Sequence, residues 1–588
     1  MRFNFPFLIV LFIPILWGCS KTKRAQPNIV VILSDDQAWG DLSLNGNKNI
    51  STPNIDKLAS EGAVFSNFFV SPVCAPTRAS FLTGREHRKT GVTGVDAGKD
   101  YLNLDEVTIA DLLNSNGYKT GAFGKWHNGS VYPYHPNGRG FDEFYGFCNG
   151  VLANYFNTTI EYNGEEITAN GYIADFLTDR AIDFINSNKD NPFFCYVPYN
   201  TPHYPLQVPD EYYDRVKQRG ITMYNRDKER EISEGIESTI GELAMCENID
   251  MNVGRILQTL KDNGLEENTI VIYFSDNGPM TTRWNGGMKG RKNTVSEGGI
   301  KVPFIIRYPE KIKPGIEVDQ IAAHIDILPT IADYAGISTN SCKPLDGLDL
   351  KPLIEGNDKE WPDRMIFSIN LKNDVSVRTQ NYRLEPDGLF DMKSDPGQRK
   401  DILMFEPGVY GSLKNTLDKW CDAAIDANDS KLFLPVGYKE WPATKLLAQD
   451  CVFAGKEICF SAIWPNTAWI TNWINPEDFF YWNIDVNTPG KYLVSVYYTC
   501  PESSIGSQIL LDFDGNGVIG EIEEPFDPEL IPSPDRVKRF GSYEKPFREL
   551  KLGEVELSQK KGKLTVKSIK MVGSQLPDIK MIKLTLSS

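Results

Sequence analysis

Two unbroken apolar runs in this chain each end in a cluster of hard oxygen donors, and that pairing constrains the fold more than any other feature. Residues 28–33 lead from Asn28 through Ile29, Val30, Val31, Ile32 and Leu33 straight into Ser34, Asp35 and Asp36. Residues 269–274 do the same and enter Ser275, Asp276 and Asn277. A strand that is apolar at every position must be covered on both faces, which calls for a mostly parallel sheet between helical layers. Similar runs at 192–197 and 302–306 extend the pattern, as does a helix-period stretch at 240–263 with Met245, Ile249, Val253, Ile256 and Leu260 on one face. An α/β domain over residues 27–330 is therefore expected. Open sheets of this kind place ligands at the carboxyl ends of their strands. If the two strands are neighbours, Asp35, Asp36, Asp276 and Asn277 converge, and an all-oxygen set suits Ca²⁺ or Mg²⁺ and not Zn²⁺. The competing reading is that both clusters are turn residues capping helices.

The chain is acidic, with 62 Lys and Arg against 78 Asp and Glu and a net charge of −16 over 588 residues. That excludes nucleic acid as a main partner. An anionic small substrate stays open, because one pocket can be locally basic. At the N-terminus, Arg2 precedes an apolar stretch interrupted by Pro6 and Pro14, which suits a signal peptide over residues 1–18. It ends in Leu16, Trp17, Gly18 and Cys19, which resembles a bacterial lipobox despite the bulky Trp17. The expectation is an exported protein in the periplasm or on the outer-membrane surface, lipid-anchored at Cys19 with residues 19–26 as tether. Of ten cysteines, none forms a CxxC pair or a zinc spacing with His.

Beyond 330 the texture changes in two steps. Residues 331–425 read as a smaller unit closing the first domain, and 426–439 as a linker. From 440 to 588 short alternating strands predict a separate β-sandwich. Its Trp441, Trp464, Trp469, Trp473 and Trp482 either stack on sugar rings or fill its core. Asp512, Asp514, Asn516, Gly517 and Glu523 satisfy the EF-hand loop pattern, but a hairpin turn needs the same residue types.

A third motif makes the reading specific. Cys74, Pro76 and Arg78 stand in a Cys-x-Pro-x-Arg frame followed by Leu82, Thr83, Gly84 and Arg85. Further along come Gly124, Lys125, Trp126 and His127, then Asn200, Thr201, Pro202 and His203, then Gly290, Arg291 and Lys292. In this order, over about residues 27–400, the chain resembles the formylglycine-dependent sulfatases of the alkaline phosphatase-like superfamily. Thr77 stands where the signature more often has Ser, and Asn293 where Gly is common after the lysine.

The resemblance implies that a maturation enzyme oxidises Cys74 to formylglycine, whose hydrate attacks sulfur and then expels sulfate. It also implies a divalent cation, Ca²⁺ or else Mg²⁺, held by Asp35, Asp36, Asp276 and Asn277 and touched by position 74 (Cys74). Arg78 would fix the formylglycine hydrate with Lys125 and His127 flanking it, and His127 would serve as base for the elimination. His203 and Lys292 would contact the sulfate, one of them protonating the leaving oxygen. Among the other histidines, His87 reads as a surface residue, His135 as part of a substrate rim and His324 as structural. The expected substrate is a sulfated carbohydrate. The rivals are a phosphate or phosphonate ester hydrolase on the same fold, and an inactive glycan-binding surface protein.

Overall fold

A computed structural model describes residues 26–226, 234–357, 361–425, 432–539, 541, 543–558 and 560–587. The expected signal peptide, Cys19 and all but the last residue of the tether lie outside these residues. Among the described residues no helix is long and apolar enough to cross a membrane.

The architecture grows from the strand Asn28–Asp35, which sits centrally in a ten-stranded sheet. It pairs in parallel with Phe193–Pro202 on one side and with Thr269–Ser275 on the other. Successive side chains of a strand face opposite ways, and here both faces are covered. Val30 and Ile32 join the core built on the helices Ile173–Ser187 and Ile236–Asp262. Ile29, Val31 and Leu33 join the one built on Cys74–Thr83, Ile109–Ser115 and Ile327–Ala335. Lys119–Lys125 continues the parallel centre beside Phe193–Pro202. Antiparallel pairs flank this centre, Phe304–Arg307 on Thr269–Ser275 at one side and the hairpin Phe156–Tyr162 to Glu165–Tyr172 closing the other, while the outermost pair on the first side, Ile316–Val318 on Ala63–Phe65, is parallel again.

Two expected boundaries shift. The helix Ile327–Ala335 crosses position 330, and Ile331, Ala332, Leu350, Leu353 and Ile354 belong to the main core. The smaller unit starts at its own antiparallel sheet, Ile366–Ile369 to Gly388–Asp391, packed on the helix Pro407–Ile425. The strand Leu434–Val436, inside the expected linker, pairs with Phe479–Val486 and so belongs to the sandwich. Two six-stranded sheets make up that sandwich. Their shared core holds Trp473, Trp482, Val494 and Val496, together with Tyr101 and Val131 of the catalytic domain. The Asp512–Glu523 segment is a hairpin: Gln508–Phe513 pairs with Asn516–Glu521, and Asp514 and Gly515 turn the chain at φ 57° and 85°. Asp512 lies opposite Gly517 in that ladder and Asp514 pairs with Lys560, so the EF-hand reading is set aside.

Candidate active site

The register explains the site. Ser34 lies opposite Ser275, so the two strands end at one level and deliver Asp35, Asp36, Asp276 and Asn277 to one place. All four are buried. Asp36 has φ 68°, a left-handed backbone costly for a non-glycine residue and tolerated where the surroundings enforce it. Its N–H donates to Asp276 Oδ1 at 3.2 Å, and Asn277 Nδ2 donates to Asp36 Oδ1 at 2.7 Å.

Cations answer these carboxylates. Lys125 Nζ lies 2.7 Å from Asp35 Oδ2 and Lys292 Nζ 2.5 Å from Asp36 Oδ1. Arg78 Nη2 lies 2.7 Å from Asp276 Oδ2, and its Nη1 donates to the Lys125 carbonyl at 2.7 Å. Burial alone would raise the Asp35 carboxyl, but Lys125, His203, Arg78 and Lys292 outweigh it and hold it well below the usual range. Burial and then Asp35 push Asp276 the other way, with Arg78 opposing. Burial would lower the Lys292 ammonium, yet Asp36, the Cys74 sulfur, Asp35 and Asp276 keep it above its ordinary value.

Cys74 opens the helix Cys74–Thr83, whose ten residues are all buried. Its Sγ and one carboxylate oxygen each of Asp35 and Asp276 lie within 4.8 Å of one another, as do ligand atoms of Asp35, Asp36 and His203. Asp35 Oδ1, Asp36 Oδ2 and Asn277 Oδ1 are buried with no hydrogen-bond donor. Three orphaned oxygens on these strand ends are costly unless a hard cation takes them. The donor set therefore fits Ca²⁺ or Mg²⁺.

The two histidines differ in tautomer. His127 Nε2 is 2.9 Å from the Val95 carbonyl, which can only accept, so Nε2 carries the proton and the buried, unpartnered Nδ1 keeps its lone pair. Burial first, then Lys125, lower its pKa to about 3. His203 Nδ1 donates to the Tyr204 carbonyl at 2.7 Å, which leaves Nε2 free 3.8 Å from Asp36 Oδ2; burial lowers this histidine too.

The departures from the family signature are absorbed. Asn293 adopts φ 63°, a conformation Asn tolerates, and its N–H donates to the Pro72 carbonyl at 2.8 Å, so the loop after Lys292 keeps its turn. The Thr77 hydroxyl donates to the Ser71 carbonyl at 3.2 Å. Two of the remaining histidines are corrected. His87 is buried, its Nδ1 2.7 Å from the Val92 carbonyl. His135 is buried against Phe144 and Trp441, so its side chain is not an exposed one. His324 is buried between Ser71 and the Phe69 carbonyl.

Sequence reading missed the supports. Arg283, buried against Asp41 and Glu242, donates to the Asp36 carbonyl at 3.3 Å. The Tyr155 hydroxyl lies 2.9 Å from both the His203 and Tyr204 carbonyls. Neither belongs to a motif; only tertiary contacts reveal them.

A nucleophile position at a helix start, a carboxylate cluster at parallel strand ends and a ring of cations define an ester hydrolase acting on an anionic group. The family model for sulfatases matches residues 27–337, and that for the N-sulphoglucosamine sulphohydrolase C-terminal region matches 290–421. The chain belongs to the sulfatase family, whose members hydrolyse sulfuric esters, on an alkaline phosphatase-like fold. Human arylsulfatase A is 30% identical over 471 residues, spanning 66% of this chain and 85% of the relative. Mouse N-acetylgalactosamine-6-sulfatase is 31% identical over 396 residues, spanning 61% and 71%. The crystal structure of Ps i-CgsB in complex with k-i-k-neocarrahexaose matches with TM-score 0.61 and 31% identity, covering 68% of this chain and 94% of the other. Neither family model reaches the β-sandwich.

Proposed function

We propose that this protein releases sulfate from sulfated carbohydrates, using a formylglycine made from Cys74 by a maturation enzyme and a divalent cation, Ca²⁺ or Mg²⁺. The observation that supports it most is the set of orphaned oxygens of Asp35, Asp36 and Asn277 beside the Cys74 sulfur. Three cations already balance three carboxylates there. A bound divalent cation therefore leaves a local positive excess, suited to a sulfate ester and supplying charge to its oxygens. Hydrated formylglycine supplies the attacking hydroxyl, and a second hydroxyl whose deprotonation expels sulfate.

The chain's own residues then have distinct tasks. Arg78 ties Asp276 to the Lys125 carbonyl and so fixes the floor under position 74. Lys125 locks Asp35. His127 Nδ1, kept neutral by burial, is the base for the second hydroxyl. His203 Nε2 and Lys292 Nζ both face Asp36 and bind the sulfate from that side. Lys292, held protonated, gives the leaving oxygen its proton, because His203 is held neutral.

Carbohydrate as the substrate is favoured by two of the relatives: one is named for N-acetylgalactosamine and one is bound to neocarrahexaose. Export with a lipid anchor at Cys19 completes the reading, placing the enzyme where polymeric glycans are met. Mass spectrometry of the Cys74 peptide, followed by a screen of carrageenan, chondroitin and heparin oligosaccharides, tests the whole. Formylglycine at 74 and a kcat/KM for a sulfated sugar far above that for matched phosphate and phosphonate esters are expected. An unmodified thiol in active enzyme, or the reverse preference, overturns it.

A further inference from the structure

His203 stands on a stretch with no regular structure of its own. Residues 203–209, between the strand Phe193–Pro202 and the helix Asp210–Arg219, lie outside helix and strand, and Pro205 and Pro209 among them have no N–H to donate. Such a loop takes its position from what packs on it. Part of that packing comes from the β-sandwich, from the segment joining its strands Asn516–Glu521 and Arg548–Leu557. The Arg536 N–H donates to the Leu206 carbonyl at 2.9 Å, and its Nη2 donates to the Val208 carbonyl at 2.7 Å. Between these two carbonyls, Gln207 Nε2 donates to Ser533 Oγ at 2.7 Å and to Asp535 Oδ1 at 2.8 Å.

Gln207 is fully buried, and its Oε1 accepts the Tyr155 N–H at 2.7 Å. Both ends of the amide are thereby committed: a flip would set N–H against N–H and carbonyl against carboxylate. Asp535 is itself fixed, because Arg539 Nε reaches its Oδ2 at 2.7 Å and Arg539 Nη2 its Oδ1 at 3.0 Å, while Arg539 Nη1 donates to the Ala153 carbonyl. Tyr155, also buried, carries the contact onward. Its hydroxyl lies 2.9 Å from the His203 and Tyr204 carbonyls, and the Tyr204 carbonyl is the one that takes the His203 Nδ1 proton at 2.7 Å. A continuous set of polar contacts therefore runs from Arg539 and Asp535 through Gln207 and Tyr155 to the carbonyl that orients the imidazole.

We infer that Gln207 is a positioning residue: through it the 533–539 segment of the β-sandwich sets where His203 Nε2 stands, which makes the sandwich part of the catalytic apparatus. This rests on the reading that His203 binds the sulfate. Displacement of a contacting group by about 1 Å costs on the order of 10²-fold in rate. A loop with no backbone ladder cannot hold His203 to that tolerance by itself, whereas buried groups whose donors and acceptors are committed on both sides can.

The test is a mutant cycle on the full-length, formylglycine-loaded enzyme with the sugar sulfate that the screen shows it turns over best. The readout is kcat/KM for sulfate release, taken with enzyme in excess so that slow variants stay measurable. Gln207→Ala is expected to lower it about 10- to 100-fold. Tyr155→Phe, which removes one hydroxyl from a core residue, should cost about tenfold, as should Ser533→Ala combined with Asp535→Ala, which strips Gln207 of its partners in the sandwich. If Gln207→Ala fails to fold, these two variants carry the test. In the His203→Ala background each change should cost no more than about twofold, because the imidazole it positions is gone, whereas a general loss of stability would cost the same in both backgrounds. Equal losses with and without His203 overturn the inference, as does a wild-type rate for the Ser533 and Asp535 double variant; both leave the sulfatase reading intact. A wild-type enzyme that releases no sulfate overturns the reading beneath it.

Discussion

Lys292 and His203 occupy one side of the site, yet only one of them has a proton to give. Asp36 holds the Lys292 ammonium charged, and burial keeps His203 neutral. A sugar alkoxide is a poor leaving group and needs that proton in the transition state; a nitrophenolate does not. Lys292→Ala is therefore expected to cost about 10²–10⁴ in kcat on a sugar sulfate, and far less on nitrophenyl sulfate. Comparable losses on both esters, measured by sulfate release, would reassign Lys292 to binding the sulfate. His203→Ala should lack this dependence on leaving group.

At the level of elements, the site exists because parallel strands end in step. Asp35 and Asp276 leave adjacent strands at the same register, and each is already paired with a cation of the chain. Chelation should thus lower the melting temperature without unfolding the protein. At cation levels of 100 to 1,000 times Kd the bound ion contributes about 3–4 kcal/mol. Calorimetry with EDTA and then with added Ca²⁺, Mg²⁺ or Zn²⁺ checks this, and rescue by Zn²⁺ alone would contradict the oxygen donor set.

That much was legible, because an apolar run ending in Asp-Asp is a local pattern, and so is the frame around Cys74. The supports were not legible. Gly124 looked like one more small residue in a motif. In the structure it has φ 147°, and a Cβ there would lie 1.9 Å from the Pro198 carbonyl oxygen of the neighbouring strand. Gly124→Ala should cost about 3 kcal/mol and displace Lys125, the next residue. Denaturant unfolding and activity should fall together; a variant of wild-type stability would mean that the strand can shift without penalty. Likewise Arg283, Tyr155 and the antiparallel pairing of Phe304–Arg307 with Thr269–Ser275 depend on partners tens to hundreds of residues away, which no window of sequence contains.

Across the whole molecule, the catalytic domain and the β-sandwich meet over buried acids that neither half explains alone. Asp450 of the sandwich accepts the Tyr101 hydroxyl at 3.0 Å, and Asp100 stands beside that tyrosine. Burial pushes both carboxyls up to about 7; Asp96 adds to the rise of each, His127 opposes it for Asp100 and the Tyr101 hydroxyl for Asp450. A folded-state pKa above the unfolded value of roughly 4 means that the folded protein binds more protons between the two. The associated stability is complete below about pH 4 and is lost as pH rises through about 7. Asn at 450 imitates the protonated acid, can still accept from Tyr101 and cannot ionise. Asp450→Asn is therefore expected to melt a few degrees above the wild type at pH 8 and no higher than it at pH 5. Scanning calorimetry at the two pH values decides: an equal offset at both would show that Asp450 does not titrate across this interface, and a lower melting temperature at pH 8 would show that its charge holds the two domains together.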